Sequence, residues 1–336
     1  MKKIKTFFKE NFKDILWDIT IIIIFILLVF VRLPYVIYKP GGIINVSDRI
    51  TIKEDIKPNS GSYNLSYVTA VKANIPNLIA SFFIKDWERI KIDDVTYSGT
   101  NYAETLQIEK YQLRNAIDNA IIIAYQKAGK NIEITGKKLM VISIEEQADT
   151  TLKLLDEIKE VDGISLNNGD ELRAYLNTKN AGDTVKFKII RNDTETEATA
   201  KLYQSEDKIV VGIYAFEDNK YTADPKIEVS TKESEAGASG GFMTCLAIYD
   251  SLIDEDLTHG KTIVGTGTIE ADGSIGEIGG VKYKLLGAEK EHADIFFVPK
   301  DNYKEAKKIY DEYKLSFKLI KVEKIDDAIE YLNSII

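Results

Sequence analysis

The sequence predicts a mixed α/β protein (α+β) of two or three domains behind an N-terminal apolar helix. Three observations predict it. A chain of 336 residues is longer than one hydrophobic core usually organises. Alternating runs such as Gly182–Arg191 interleave with runs at helical spacing such as Leu113, Ala116, Ile117, Ala120, Ile121 and Ala124. One stretch near the start, Ile15 to Val31, is almost wholly apolar. Hydrophobic content of 44% and charged content of 29% place the remainder among globular domains. A net charge of −9 argues against nucleic acid as a main partner, which would favour a basic face. The single cysteine, Cys245, cannot form an internal disulfide and sits in an apolar run, where it reads as a small buried hydrophobe.

The apolar stretch has its densest part at Ile19 to Val31. Continued through Leu33, Tyr35, Val36 and Ile37, it reaches the ~20 residues a membrane span needs. Residues 17–38 are therefore expected to form a single-pass anchor behind a tail over 1–16, with Trp17, Tyr35 and Tyr38 as its aromatic belt. Asp18 and Arg32 interrupt its ends, from where they can reach the interface. Lys2, Lys3, Lys5, Lys9 and Lys13 favour a cytoplasmic N-terminus in the cell membrane, with the rest of the chain outside. A cleaved signal peptide would need a small-residue site, and the run ends instead in Arg32-Leu33-Pro34-Tyr35.

Lys39-Pro40-Gly41-Gly42 turns the chain away. In the membrane-proximal region, 39–130, Ser62 to Val71 reads as a strand and Asn74 to Ile84 as a short amphipathic helix. Gln112 to Ala128 reads as a longer helix with Gly129 as its stop. Residues 131–206 read as a separate module of short strands, Lys138–Ile144 and Gly182–Arg191 among them, around a helix from Gly169 to Leu176. Residues 207–336 form the last unit, in which Ile209 to Phe216 and Ile227 to Ser230 read as strands leading to a glycine-rich turn.

That turn carries the chemistry. Ala236-Gly237-Ala238-Ser239-Gly240-Gly241 runs into an apolar helix, Phe242 to Ile248. Small neighbours let a backbone approach Ser239, and the free N–H groups of a first helical turn suit an oxyanion. The plainer reading is that Ser239 only caps the helix. A nucleophilic serine needs a base. The two histidines, His259 and His292, lack that setting, whereas Lys282 follows a Gly-Gly bend among Ile278, Val281 and Leu285. Burial lowers a lysine pKa and would free its lone pair. The plainer reading of Lys282 is a solvated side chain. Glu233, Glu235 and Glu270 could border a substrate cleft or lie on open surface. No Cys, His and carboxylate cluster at ligand spacing suggests a metal, and no cofactor motif is present.

Two resemblances extend this reading. Gly237-Ala238-Ser239-Gly240-Gly241 resembles the Gly-Pro-Ser-Ala-Gly nucleophile motif of Lon-type serine peptidases. Thr266-Gly267-Thr268-Ile269 with Ile278-Gly279-Gly280-Val281-Lys282-Tyr283-Lys284-Leu285-Leu286 resembles their Thr-Gly-Glu-Ile…Ile-Gly-Gly-Leu-Lys-Glu-Lys-Leu-Leu run. The resemblance implies Ser239 as nucleophile, Lys282 (the first lysine of the run) as base and Thr266 as a group that orients the amine. Ala238 in place of proline and Gly240 in place of alanine are departures, and neither removes a catalytic group. Lon-type domains also carry a strand region and a long helix before the serine motif. Residues 60–130 are then expected to complete the catalytic domain.

Leu154-Leu155-Asp156-Glu157-Ile158-Lys159-Glu160-Val161-Asp162-Gly163 is similar to the Leu-x-x-Gly-Asp-x-Ile-x-x-Val-Asp-Gly run of PDZ domains, with Leu155 in place of glycine. The implied architecture is an N-terminal transmembrane helix and a PDZ-like domain inserted in or preceding a Lon-type proteolytic domain. PDZ domains add a peptide as an extra strand and hold its carboxylate in a backbone nest. Gly136-Lys137-Lys138-Leu139 is the candidate nest, and a mere spacer is the alternative.

The combination resembles the SepM/YlbL-like membrane-anchored peptidases. It implies limited cuts in extracellular peptides or unfolded proteins. Gly260-Lys261-Thr262 lacks the first glycine of a phosphate loop, since Glu255 stands there, so cleavage is expected without ATP. Lon-type domains often form rings, which makes a homo-oligomer compatible with the sequence. The rival readings are a catalytically silent, tethered PDZ adaptor and a Ser–Lys acyl transferase or amidase.

Overall fold

The structure, a computed structural model, describes residues 11–53, 59–97, 100–205 and 208–335. Lys2, Lys3, Lys5 and Lys9, on which the expected orientation rests, lie outside the described residues.

The larger domain is built on a six-stranded sheet. Its strands run Lys318–Val322, Ile295–Pro299, Thr262–Gly265, Ser62–Asn74, Arg32–Asn45 and Glu88–Lys91 across the sheet. The first four are parallel and the last two are added antiparallel. Strands covered on both faces need continuous apolar runs. Ile295-Phe296-Phe297-Val298-Pro299 is such a run, and all five residues are buried. Ile263 and Phe297 point to one face, where they meet Phe242 and Leu246 of helix Gly241–Ser251 and Ala120 and Ile121 of helix Tyr102–Lys127. Val264, Phe296 and Val298 point to the other, against Val281, Leu285 and Ala288 of helix Val281–Lys290.

Helix Tyr102–Lys127 begins ten residues before the stripe that announced it at Gln112. Its start is fixed by chemistry rather than periodicity. The Asn101 side chain accepts from Ala103 N and Glu104 N, and the Glu104 carboxylate accepts from Asn101 N at 2.8 Å. This reciprocal cap closes the first turn.

The smaller domain is a second sheet in the order Ile213–Asp224, Asn131–Ile144, Glu157–Val161, Thr184–Arg191, Thr194–Lys201, with helix Gly169–Leu176 packed on it. Two expectations are corrected here. Ile213–Phe216 belongs to this sheet and not to the larger domain, because the strand pairs with Asn131–Ile144 along its whole length, from Asn131↔Asp224 to Ile144↔Ile213. Gly136–Leu139 is no carboxylate nest. These residues sit in mid-ladder opposite Lys220, Asn219, Asp218 and Glu217, so their backbone groups do not converge.

The N-terminal helix spans Phe12–Phe30, and none of its residues is buried. Among the described residues no helix is long and apolar enough to cross a membrane. Lys13, Asp14 and Asp18 lie in its first turns. The expected span of 17–38 is also too long. Arg32–Asn45 is a strand, with Val36 and Ile37 0% and 1% exposed between Ser62–Asn74 and Glu88–Lys91. The apolar residues beyond Val31 serve the sheet core.

In the smaller domain, Asp156 is 0% exposed and is bridged twice by Arg191, at 2.7 and 2.6 Å. Arg191→Ala would leave that carboxylate buried without a cation. We expect a loss of about 3 kcal/mol in a denaturant titration that follows the small domain. Leu155 has φ 65, the left-handed region that glycine occupies freely. Leu155→Gly is expected to stabilise the same transition by about 1 kcal/mol.

Candidate active site

Ser239 lies in a single 3₁₀ turn, Ala238–Gly240, at the head of helix Gly241–Ser251. The helix is apolar all round because it is enclosed, with Phe242 to Ile248 all buried. Its entry is held from three sides. Gly237 N donates to Glu109 O of the long helix at 2.9 Å. Gly267 N donates to Ser239 O at 2.8 Å. Arg49 grips the Glu235 carboxylate with two bonds, of 2.6 and 2.8 Å. Gly237 has φ 91, which a side chain would resist. Gly240 replaces the alanine of the similar motif, and a Cβ there would come 2.9 Å from Leu65 Cδ2, so the smaller residue makes room for Leu65. The N–H groups of Ser239 and Gly240, in the first turn, have no carbonyl within their own helix to bond.

Thr266 stands at the end of strand Thr262–Gly265 and is 0% exposed. Its Oγ1 donates to Ser239 O at 3.1 Å and accepts from Lys284 Nζ at 3.0 Å. One hydroxyl thus links the serine turn to a lysine. Lys284 is 4% exposed in helix Val281–Lys290, and burial pushes its pKa down to about 7. No carboxylate contributes to that shift.

The reading of Lys282 as the site lysine is corrected. Its Nζ pairs with Asp86 at 2.8 Å, and its side chain is 36% exposed. Burial acts to lower its pKa, but the Asp86 carboxylate and the Tyr313 hydroxyl outweigh it and hold the amine charged. Lys282 lines a surface cleft of ≈ 440 Å³ with Tyr38, Glu88 and Glu312, and Ser239 is not part of that cleft. The physical reason is helical spacing. Val281, Leu285 and Ala288 form the buried stripe, and position 284 falls on it while 282 falls outside. That stripe was readable in the sequence. The structure therefore brings Lys284, the second lysine of the run, to Thr266 and leaves the first, Lys282, with Asp86.

The remaining candidates are elsewhere. Cys245 is fully buried, and burial pushes its thiol pKa up, which leaves no thiolate for attack. His259 Nε2 is 3.1 Å from Leu332 O. Glu235 is occupied by Arg49, Glu233 is exposed, and Glu270 accepts from Thr268 Oγ1 at 3.1 Å on the surface. Among the described residues no group of His, Cys, Asp and Glu could hold a metal ion.

Residues 222–334 match the family of the Lon protease (S16) C-terminal proteolytic domain, and residues 113–202 match the PDZ domain family. The second match begins within helix Tyr102–Lys127, which packs in the larger domain. A Lon protease of Campylobacter jejuni is 24% identical over 76% of this chain and 34% of its own length. A Lon protease of Clostridium acetobutylicum is 26% identical over 52% of this chain and 23% of its own. The chain thus spans about a third or less of these relatives. A solved PDZ domain of an SdrC-like protein from Listeria monocytogenes is 27% identical over 25% of this chain and 92% of its own, with a TM-score of 0.23.

A buried lysine without a counter-ion destabilises the fold. The depression from 10.5 to about 7 is worth on the order of 5 kcal/mol. Below pH 7 the amine is charged both folded and unfolded, and the full penalty applies. Above pH 7 the folded protein sheds the proton that the unfolded chain keeps, so stability rises until the unfolded lysine also titrates. Lys284→Met is expected to raise Tm on the order of 10 °C at neutral pH and to abolish the rise in stability between pH 7 and 10, as calorimetry at several pH values would show.

Proposed function

We infer that this chain, in which a PDZ domain is joined to a proteolytic domain of the Lon (S16) type, works as a serine endopeptidase with Ser239 as nucleophile and Lys284 as general base. One observation carries the reading. A dry lysine, free of carboxylates, bonds a threonine whose hydroxyl holds the carbonyl of a serine in a glycine-rich helix entry. With a pKa near 7, Lys284 has its lone pair available at neutral pH. Neutral Lys284 takes the proton of Ser239 Oγ as that oxygen attacks the scissile carbonyl. The N–H groups of the serine turn receive the oxyanion. The ammonium then protonates the leaving amine, and water, deprotonated by the same lysine, resolves the acyl-enzyme. Thr266 keeps the amine pointed through these steps.

The substrate we propose is a flexible peptide or unfolded protein, cut without ATP, because the chain contains no phosphate loop to drive unfolding. The smaller domain offers a place for it. Ile213–Asp224 is the last strand of its sheet, with Tyr214 and Phe216 60% and 42% exposed. Helix Gly169–Leu176 starts beside this strand, where Gly169 N donates to Glu217 at 2.7 Å. A peptide can extend the sheet at that edge.

We also propose that helix Phe12–Phe30 enters the membrane and leaves the catalytic domain outside the cell. Its apolar residues are exposed on all sides, and Phe82 and Phe83, 65% and 84% exposed, follow the short helix Ile75–Ala80 at its end. Asn74 Nδ2 ties that end to Val29 O at 3.1 Å.

The test is cleavage of a peptide library by the full chain in lipid vesicles without ATP, read by mass spectrometry. Ser239→Ala and Lys284→Ala should each lose cleavage at least about a thousandfold, while Lys282→Ala should retain it. The rate should climb between pH 6 and 8 as Lys284 loses its proton. A wild-type chain that cuts nothing would favour the silent adaptor.

A further inference from the structure

A third hydroxyl is buried in the strand next to Thr262–Gly265. Ser66, in strand Ser62–Asn74, is 1% exposed, and its Oγ is a buried atom without a hydrogen-bond partner. Buried hydroxyls normally find partners, so an orphan needs a reason.

Its position follows from the strands and the helix that covers them. A Cβ built on Gly280 would come 2.6 Å from Val68 Cγ2, and one on Gly287 would come 3.2 Å from Gly42 N. Helix Val281–Lys290 therefore crosses from Val68 to Gly42. Ile43, next to Gly42, is the cross-strand partner of Ser66. Lys284 falls midway between Gly280 and Gly287, so this crossing carries it over the stretch of strand that contains Ser66. Ser66 and Val68 are two apart on one strand and so share the face that meets this helix. The parallel register pairs Gly265 with Leu65, which sets Thr266 beside Ser66.

We propose that Ser66 is a positioning residue, whose hydroxyl accepts a hydrogen bond from Lys284 Nζ once that amine carries the proton taken from Ser239. The proposal rests on the Ser239–Lys284 reading. A neutral amine has two N–H donors and a lone pair. The ammonium has three donors and no lone pair. Thr266 accepts one and the reacting group faces another. In a dry site the third must find an acceptor or remain unmade. The proton itself passes from Ser239 Oγ to Lys284 Nζ and on to the leaving nitrogen. Ser66 neither gains nor loses one.

The experiment measures kcat and kcat/KM against pH for the full chain with a peptide that the wild type cuts. Losing an acceptor of the ammonium favours the neutral amine. Ser66→Ala should therefore move the midpoint of the acid limb down by about one pH unit and lower the plateau kcat about tenfold, the effect of one charge-assisted hydrogen bond. Ser66→Thr should restore both. A merely structural serine would change Tm and leave the midpoint where it was. The proposal is overturned if Ser66→Ala keeps the wild-type midpoint and plateau, or if its rate falls with no shift in midpoint. Ser239→Ala and Lys284→Ala run alongside separate the two failures. If either still cleaves, the dyad itself is wrong. If both are dead and Ser66→Ala is unaltered, only the role of Ser66 is lost.

Discussion

The contact on which the molecule turns is the hydrogen bond between the Lys284 amine and the Thr266 hydroxyl, made in a layer closed to water. Burial holds an amine in that layer at the edge of ionisation, with no anion beside it to restore its charge. A carboxylate there would fix the proton, as Asp86 fixes it on Lys282 two residues away. The same helix thus presents one charged lysine to solvent and one titrating lysine to the sheet. The difference is wholly one of rotation about the helix axis.

Sheet topology makes the meeting possible. Strand Thr262–Gly265 lies parallel to Ser62–Asn74 and to Ile295–Pro299, so hydroxyls far apart in sequence come to adjacent places. The serine turn then arrives from the opposite face and is fastened to Glu109, Gly267 and, through Glu235, to Arg49. The inserted sheet does not disturb this, because its first and last strands pair from Asn131↔Asp224 outward and the chain leaves where it entered. Tyr221 reaches Asp118 at 3.0 Å, and Asn115 bonds Asp218, so the base of the ladder rests on the long helix.

Much of this was legible. Period-two and helical spacing located the strand at Gly182–Arg191 and the helices after Ser239 and at Gly169–Leu176, and the serine turn was plain from its glycines. What escaped notice has physical causes. Apolar residues at 33–37 satisfy a sheet as well as they satisfy lipid, and hydropathy does not distinguish the two. Register is a property of two strands, so the pairing that takes Ile213–Phe216 into the smaller domain and removes Gly136–Leu139 as a nest was invisible in either stretch alone. Lys284 was within reach, because its place on the stripe of Val281, Leu285 and Ala288 needed only a helical wheel.

The joint between helix Phe12–Phe30 and strand Arg32–Asn45 contains one residue, Val31. There is no tether to flex. From Asn74, beside that joint, to Ser66, next to the residue that pairs with Gly265, is eight strand residues, or about 26 Å. Whatever surface helix Phe12–Phe30 settles on, the strand that follows it moves with it rather than swinging free. The strand therefore works as a rigid spar that fixes how far the serine turn stands from the exposed apolar helix.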